Sequence, residues 1–109
     1  MTRYSNGANF ERQVKKAFED SGWWVQRSAG SHGEADLVAL AANCRPVLIQ
    51  CKKEETKSVN DEVRVLADLG DTLDCKAVWV DKFKRKVRFR RIELVRHGQK
   101  EYLWSDYEP

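Results

Sequence analysis

Cysteine, histidine and proline are scarce in this sequence, and each scarcity closes a class of explanation. The 109 residues hold three cysteines, Cys44, Cys51 and Cys75, an odd number with no C-x-x-C spacing. A disulfide framework needs paired cysteines and an oxidising compartment, so the pattern points to a reducing one. Only His32 and His97 are present to join them, and without paired cysteines the set lacks the spacing of a zinc site. The thiols read as small buried or half-buried apolar groups. Two prolines and six glycines leave no linker and no low-complexity tract, so a single domain over residues 1–109 is expected. Long apolar runs are missing as well. The longest, residues 37–42, is far shorter than a membrane span, and no signal-peptide core opens the chain. The expected location is the cytoplasm, of a prokaryotic cell or of a virus-infected host cell, without a membrane partner.

What is present is unevenly placed. The formal net charge of +3 hides a split: residues 76–100 carry ten basic and two acidic side chains, a local +8, while the remaining 84 residues balance at −5. Basic and aromatic residues interleave from Lys82 to Arg91 in the run KFKRKVRFRR. Such a block suits a phosphate backbone and equally suits a solvated strand surface. Four Trp, four Phe and three Tyr supply enough apolar area to exclude a disordered chain.

Periodicity sets an order of elements. Asn9 or Asn6 caps a first helix whose buried face runs through Phe10, Val14, Ala17 and Phe18, and Gly22 stops it. A strand at 23–28 follows, with Trp23 and Trp24 on opposite faces, and then a small-residue loop containing Gly30, Ser31 and Gly33. Residues 36–41 and 47–52 read as a hairpin around a turn at 43–46. After a charged loop at 53–57, a helix over 59–73 shows a stripe through Val63, Leu66, Leu69 and Leu73, with Gly70 weakening its end. Strands at 75–80 and 87–92 complete the order α-β-β-β-α-β-β, an α/β fold with a mixed sheet flanked by helices. The tail, with Tyr102, Trp104 and Tyr107, is expected to pack on the domain or on a second subunit.

Polar groups interrupt the hairpin where a core strand would stay apolar. Asp36 opens its first strand, and Gln50 and Lys52 interrupt the end of its second. Side chains alternate along a strand, so Gln50 and Lys52 share a face. Hairpin pairing then brings Asp36 to them at one edge of the sheet. A carboxylate and an amide oxygen can hold a hard divalent cation, and a neighbouring ammonium can orient water or stabilise charge on a phosphate. Glu11 borders the buried stripe of the first helix and is a candidate for a further carboxylate. Taken singly, each of these residues is better accounted for by an ordinary helix-surface or strand-end role; it is their convergence that favours a site.

Asp36 followed 14 residues later by Gln50-Cys51-Lys52 resembles the D…(D/E/Q)-x-K signature of the PD-(D/E)XK nuclease superfamily. More narrowly, Gly7-Ala8-Asn9-Phe10-Glu11-Arg12, Val25-Gln26-Arg27-Ser28-Ala29-Gly30-Ser31, Ala35-Asp36-Leu37-Val38-Ala39 and Ile49-Gln50-Cys51-Lys52, in that order, resemble the archaeal-type Holliday junction resolvases, which also occur in viruses. The resemblance covers about residues 7–80. It implies a restriction-endonuclease-like sheet and a homodimeric, metal-dependent endonuclease that cuts four-way DNA junctions. It also implies Mg²⁺, replaceable by Mn²⁺, held by Glu11, Asp36 and Gln50, with Lys52 acting in catalysis and Ser31 as the functional loop serine. Gln50 stands where most relatives carry Glu, and Ala35 where the superfamily's namesake Pro would be; Glu34 is a nearby source of the charge that Gln50 lacks. Arg12, Arg27, His32, Lys53, Lys84, Arg85 and Lys86 are the expected DNA contacts. A junction- or duplex-binding protein on a degenerate nuclease fold, and a nuclease for other branched DNA, are the alternative readings.

Overall fold

A computed structural model describes residues 3–28 and 35–109. Helix α1 (Arg3–Asp20) leads into strands β1 (Trp24–Arg27), β2 (Leu37–Leu40) and β3 (Val47–Cys51). Helix α2 (Asp61–Leu73) then crosses to β4 (Lys76–Phe83), followed by β5 (Lys86–Arg96) and β6 (Lys100–Asp106). The strands lie side by side in sequence order, antiparallel except for the parallel β3–β4 pair that α2 connects. The expected order of elements is present, and the tail adds β6, paired along the outer half of β5 from Arg90↔Asp106 to Arg96↔Lys100. That pairing draws Tyr102 and Trp104 against the α2-side core. No helix of the described residues is long and apolar enough to cross a membrane.

Two apolar layers sandwich the sheet. On one face, Phe10, Val14 and Phe18 of α1 pack on Val25, Leu37, Ala39, Val47, Ile49, Val78 and Val80. Each of the valine, leucine, isoleucine and phenylalanine side chains contributes about 1.5–3 kcal/mol by leaving water. On the other face, Val63, Leu66 and Ala67 of α2 pack on Leu48, Ala77, Trp79 and Ile92.

Helix α1 starts at Arg3, so neither Asn6 nor Asn9 caps it; Asn9 instead accepts a hydrogen bond from Arg12 Nη1 at 3.0 Å. Its end is as expected. Gly22 takes φ = 96°, and Gly22 N–H to Glu19 and Trp23 N–H to Phe18 close the terminal carbonyls, a Schellman arrangement that favours glycine. Trp23 then turns into the core against Phe18 and donates to the Pro109 carbonyl, while Trp24 faces outward.

Helix α2 is rotated from its expected stripe. Its buried positions are Val63, Leu66, Ala67 and Gly70, whereas Leu73 is exposed and Leu69 only partly buried. Gly70 is the cause. A Cβ there would meet the Cys75 carbonyl at 2.8 Å and Ala77 Cβ at 3.2 Å, so its bare backbone permits the close approach to β4 and turns the larger leucines aside.

Candidate active site

The β2–β3 ladder positions the central residues. Leu37 pairs with Ile49, and Asp36 N–H donates to the carbonyl of the same Ile49 at 2.8 Å, which holds Asp36 at the end of the ladder. Leu37 and Ile49 point into the α1 layer. Pleat alternation therefore sends Gln50 and Lys52 to the α2 side and Cys51 to the α1 side, while Asp36 lies just before β2 at the end of the ladder. Asp36 Oδ2 accepts the Cys51 N–H at 2.9 Å. Burial raises the Asp36 carboxyl above its ordinary range, against the opposing pull of the Cys51 N–H, Lys52 and Arg27. The Cys51 thiol is driven well above its ordinary range, by burial first and then by Asp36 and Glu11, so it stays an un-ionised neighbour.

Lys52 leaves the ladder with its N–H bonded to the Val80 carbonyl at 2.8 Å, and its ammonium meets Glu62 Oε2 at 2.8 Å. Gln50 Oε1 is buried and has no hydrogen-bond partner among the described residues. Glu11 lies on the α1 side and accepts from Arg27 Nη2 at 3.2 Å. Burial, and then Asp36, raise its carboxyl, while Arg27 lowers it. The two carboxylates thus sense each other at the sheet edge.

Asp36, Gln50 and Lys52 lie at one end of the β2–β3 ladder, as the hairpin argument expects, and Glu11 reaches Asp36 through the field rather than by contact. Among the described residues no three His, Cys, Asp or Glu side chains gather closely enough to hold a metal ion. Among the described residues the hard oxygens on offer are the Asp36 carboxylate and the Gln50 amide, with Glu11 nearby and Glu62 held by Lys52. That sparse set fits Mg²⁺, which keeps several waters and takes one or two carboxylates. The orphaned Gln50 oxygen is the feature a cation would satisfy, since a buried acceptor without a partner costs stability. Ser31, His32 and Glu34 lie outside the described residues.

The basic segment divides. Arg88 and Arg90 both pair with Asp81, which is fully buried; Arg91 pairs with Glu93 and Arg96 with Asp71. These four arginines serve the fold. Lys84, Arg85 and Lys86 occupy the β4–β5 turn and are exposed. Because β4 runs parallel to β3 with Cys51 opposite Val80, this turn extends roughly 10 Å past Val80 at the same end of the sheet as Asp36 and Lys52. Arg12, Arg27 and the exposed Lys53 lie near that end on α1, β1 and the segment after β3.

Two participants escape sequence reasoning. Glu62 was hidden because a loop separates it from Lys52, although Asn60 capping α2 through Val63 N–H marks where a first-turn acid would stand. Asp81 was hidden within a strand of apolar residues. It accepts the Thr56 N–H at 2.7 Å, and Thr56 Oγ1 accepts from Trp79 Nε1 at 2.9 Å, which pins the loop that joins Lys52 to α2.

Residues 2–107 match the family model described as archaeal Holliday junction resolvase (Hjc). The chain belongs to that family. Among curated relatives, the crossover junction endodeoxyribonuclease Hjc of Methanocaldococcus jannaschii is 29% identical over 104 residues, covering 93% of this chain and 77% of the relative. Among solved structures, Archaeoglobus fulgidus Hjc, a Holliday junction resolvase from an archaeal hyperthermophile, aligns with a TM-score of 0.64 at 22% identity, covering 93% of this chain and 84% of that one. At that identity the solved structure speaks to the fold, which matches the Hjc architecture, while family membership rests on the family model.

Proposed function

We propose that this chain is an endonuclease that resolves four-way DNA junctions by hydrolysing one phosphodiester in each of two strands. The observation that carries the reading is the convergence of Asp36, the orphaned Gln50 oxygen and the Lys52 ammonium at one sheet end in a chain that matches the resolvase family over residues 2–107. Asp36, Gln50 and Glu11 would hold Mg²⁺, or Mn²⁺ in its place. When bound, such an ion supplies a polarised water and neutralises charge on the phosphate.

The chain's own residues do the rest. Asp36 is held in place by the Cys51 N–H, so its carboxylate is oriented before any ligand arrives. Lys52 places a positive charge where the phosphorane-like transition state gains negative charge. A water oxygen forms a bond to phosphorus as the bond to the leaving sugar oxygen breaks. Lys53, Arg12 and Arg27 around the site, and Lys84, Arg85 and Lys86 on the projecting turn, supply phosphate contacts on both sides of the scissile bond. The family resemblance assigns Ser31 to the site and makes His32 a DNA contact.

Two cuts placed symmetrically require two sites related by a two-fold axis. Helix α2 covers β3, β4 and β5, and Val38 of β2 packs at the margin of that layer, so among the described residues the same face is least covered at its β1 end. There Trp24 and its register partner Leu40 are exposed, and Val65 and Leu73 are exposed on α2. This apolar surface supports a homodimer. Three free cysteines suit a reducing cytoplasm.

The neutral Gln50 favours a second reading, a protein that binds junctions without cutting them. Incubation of a labelled four-way junction with Mg²⁺ and with a chelator separates the two. Paired, Mg²⁺-dependent nicks at the junction are expected, with little cutting of linear duplex or flaps at the same salt. Tight binding without nicks would leave only the second reading.

A further inference from the structure

The pair formed by Lys52 and Glu62 joins two elements whose backbones are fixed independently. Lys52 N–H is held by the Val80 carbonyl at 2.8 Å. Glu62 sits in the first turn of α2, which Asn60 caps. The loop between them is pinned where Asp81 accepts the Thr56 N–H. The ammonium and the carboxylate are therefore presented to each other at 2.8 Å with little freedom left in the main chain. Gln50, on the same strand face as Lys52, is uncharged and offers no ion pair, and Asp36 Oδ2 is engaged by the Cys51 N–H. Among the described residues, the anion in contact with Lys52 comes from the helix.

We propose that Glu62 is a positioning residue for Lys52: it holds the ammonium at the rim of the site, aimed at the phosphate that Lys52 serves. This rests on the reading of Lys52 as the assisting cation. The pair is open to solvent, with side-chain exposures of 37% and 59%, and exposed pairs add little to stability. Its loss therefore registers in the cleavage rate and not in folding. An acid in a first helical turn is also favourable for the helix itself, which explains a carboxylate at this place but not its contact with Lys52. Aspartate separates these roles, since it keeps the charge at the helix start and is one methylene too short to reach.

The experiment compares the full-length wild type, Glu62→Gln, Glu62→Asp and Lys52→Ala in single-turnover cleavage of a labelled four-way junction with Mg²⁺. Junction affinity and melting temperature are measured alongside. NMR of the lysine Cε–Nζ groups in labelled protein without DNA or metal supplies a readout independent of activity. Both Glu62 variants should cleave about tenfold more slowly with junction affinity unchanged, the melting temperature should hold in Glu62→Asp and fall by at most a few degrees in Glu62→Gln, and the Lys52 signal should move in both. A wild-type rate or an unmoved Lys52 signal in Glu62→Asp would overturn the proposal, as would affinity falling in parallel with rate. If Lys52→Ala still cleaves normally, it is the assignment of Lys52 that fails; if Lys52→Ala is inactive and Glu62→Gln is not, only the role of Glu62 fails.

Discussion

Asp81 and Arg88 are register partners across β4 and β5, and their side chains meet in a two-bond fork, Nε to Oδ1 at 2.9 Å and Nη2 to Oδ2 at 2.7 Å. Arg90 adds a longer bond to the same carboxylate and also donates to the Thr56 carbonyl at 2.8 Å. A fully buried carboxylate with this many donors organises the loop that connects the two halves of the candidate site. Without it, Arg88, Arg90 and the Thr56 N–H lose their shared acceptor.

Replacing Asp81 by Ala should therefore cost about 3 kcal/mol, the scale on which breaking a buried ion pair is felt. Chemical denaturation of wild type and variant measures it. Burial works against ionisation of Asp81, but the Arg88 hydrogen bonds and the Thr56 N–H outweigh it and hold the carboxyl below its ordinary 3.8. A depressed folded value means stability that is present above the unfolded value and lost as pH falls through the folded one. Wild type should lose this contribution only below about pH 4, and a pH titration of Asp81→Asn should lack that loss.

Asp36 has the opposite sign. Its carboxyl is raised in the fold, chiefly by burial, so the favourable contribution of its protonated form is full below the unfolded value and is gone once pH has risen through the folded one. At neutral pH the metal-free protein bears the cost of a desolvated anion. Asp36→Asn keeps an oxygen for the Cys51 N–H and removes the charge. It should abolish junction cleavage, retain junction binding, and raise the melting temperature in chelator by a few degrees, ~4 °C for ~1 kcal/mol in a domain of this size. Mg²⁺ should raise the melting temperature of wild type and leave that of the variant unmoved. A variant that melts lower than wild type in chelator would contradict the argument.

The part of this arrangement that the sequence discloses is the part governed by short-range rules. A period of two and a hairpin connection are enough to bring Asp36 near Gln50 and Lys52, and Gly22 marks the end of α1. What stays hidden depends on long-range pairing. The cross-strand register that gives Arg88 and Arg90 to Asp81 cannot be counted along the chain, so the whole basic segment reads as available for phosphates. The rotation of α2 follows from the space above Gly70, which exists only once Ala77 and the Cys75 carbonyl are in place. Strand β6 is stabilised by its ladder to β5 and by packing of Tyr102 and Trp104, while its own alternation of charged and aromatic residues is short.

Gln50 offers a third test. Its Oε1 is buried without a partner among the described residues, beside a carboxylate that burial already disfavours. Gln50→Glu adds a second negative charge there, so the metal-free protein should melt lower than wild type. Divalent-ion affinity should rise, and cleavage at limiting Mg²⁺ should be preserved or increased. Thermal melts in chelator and in Mg²⁺, with a cleavage titration in Mg²⁺, measure all three. Complete loss of cleavage with the metal-dependent gain in melting temperature retained would mean that Gln50 is needed for something other than holding a cation.

The turn between β4 and β5 separates stability from DNA affinity. Phe83 pairs with Lys86, and the two residues between them, Lys84 and Arg85, both have positive φ, 51° and 66°. That is the geometry of a type I′ hairpin turn, for which Asn-Gly is the favoured pair and residues with long side chains are strained. Lys84→Asn with Arg85→Gly should therefore stabilise the fold by ~1 kcal/mol or more while removing two cations from the projecting tip. If those cations lie on phosphates, junction affinity should fall, and the slope of log affinity against log salt should become shallower by about 2. Denaturation curves read the first effect and salt-titrated junction binding the second. A more stable double variant that binds with an unchanged salt slope would place the DNA elsewhere on the sheet end, nearer Lys53 and Arg12.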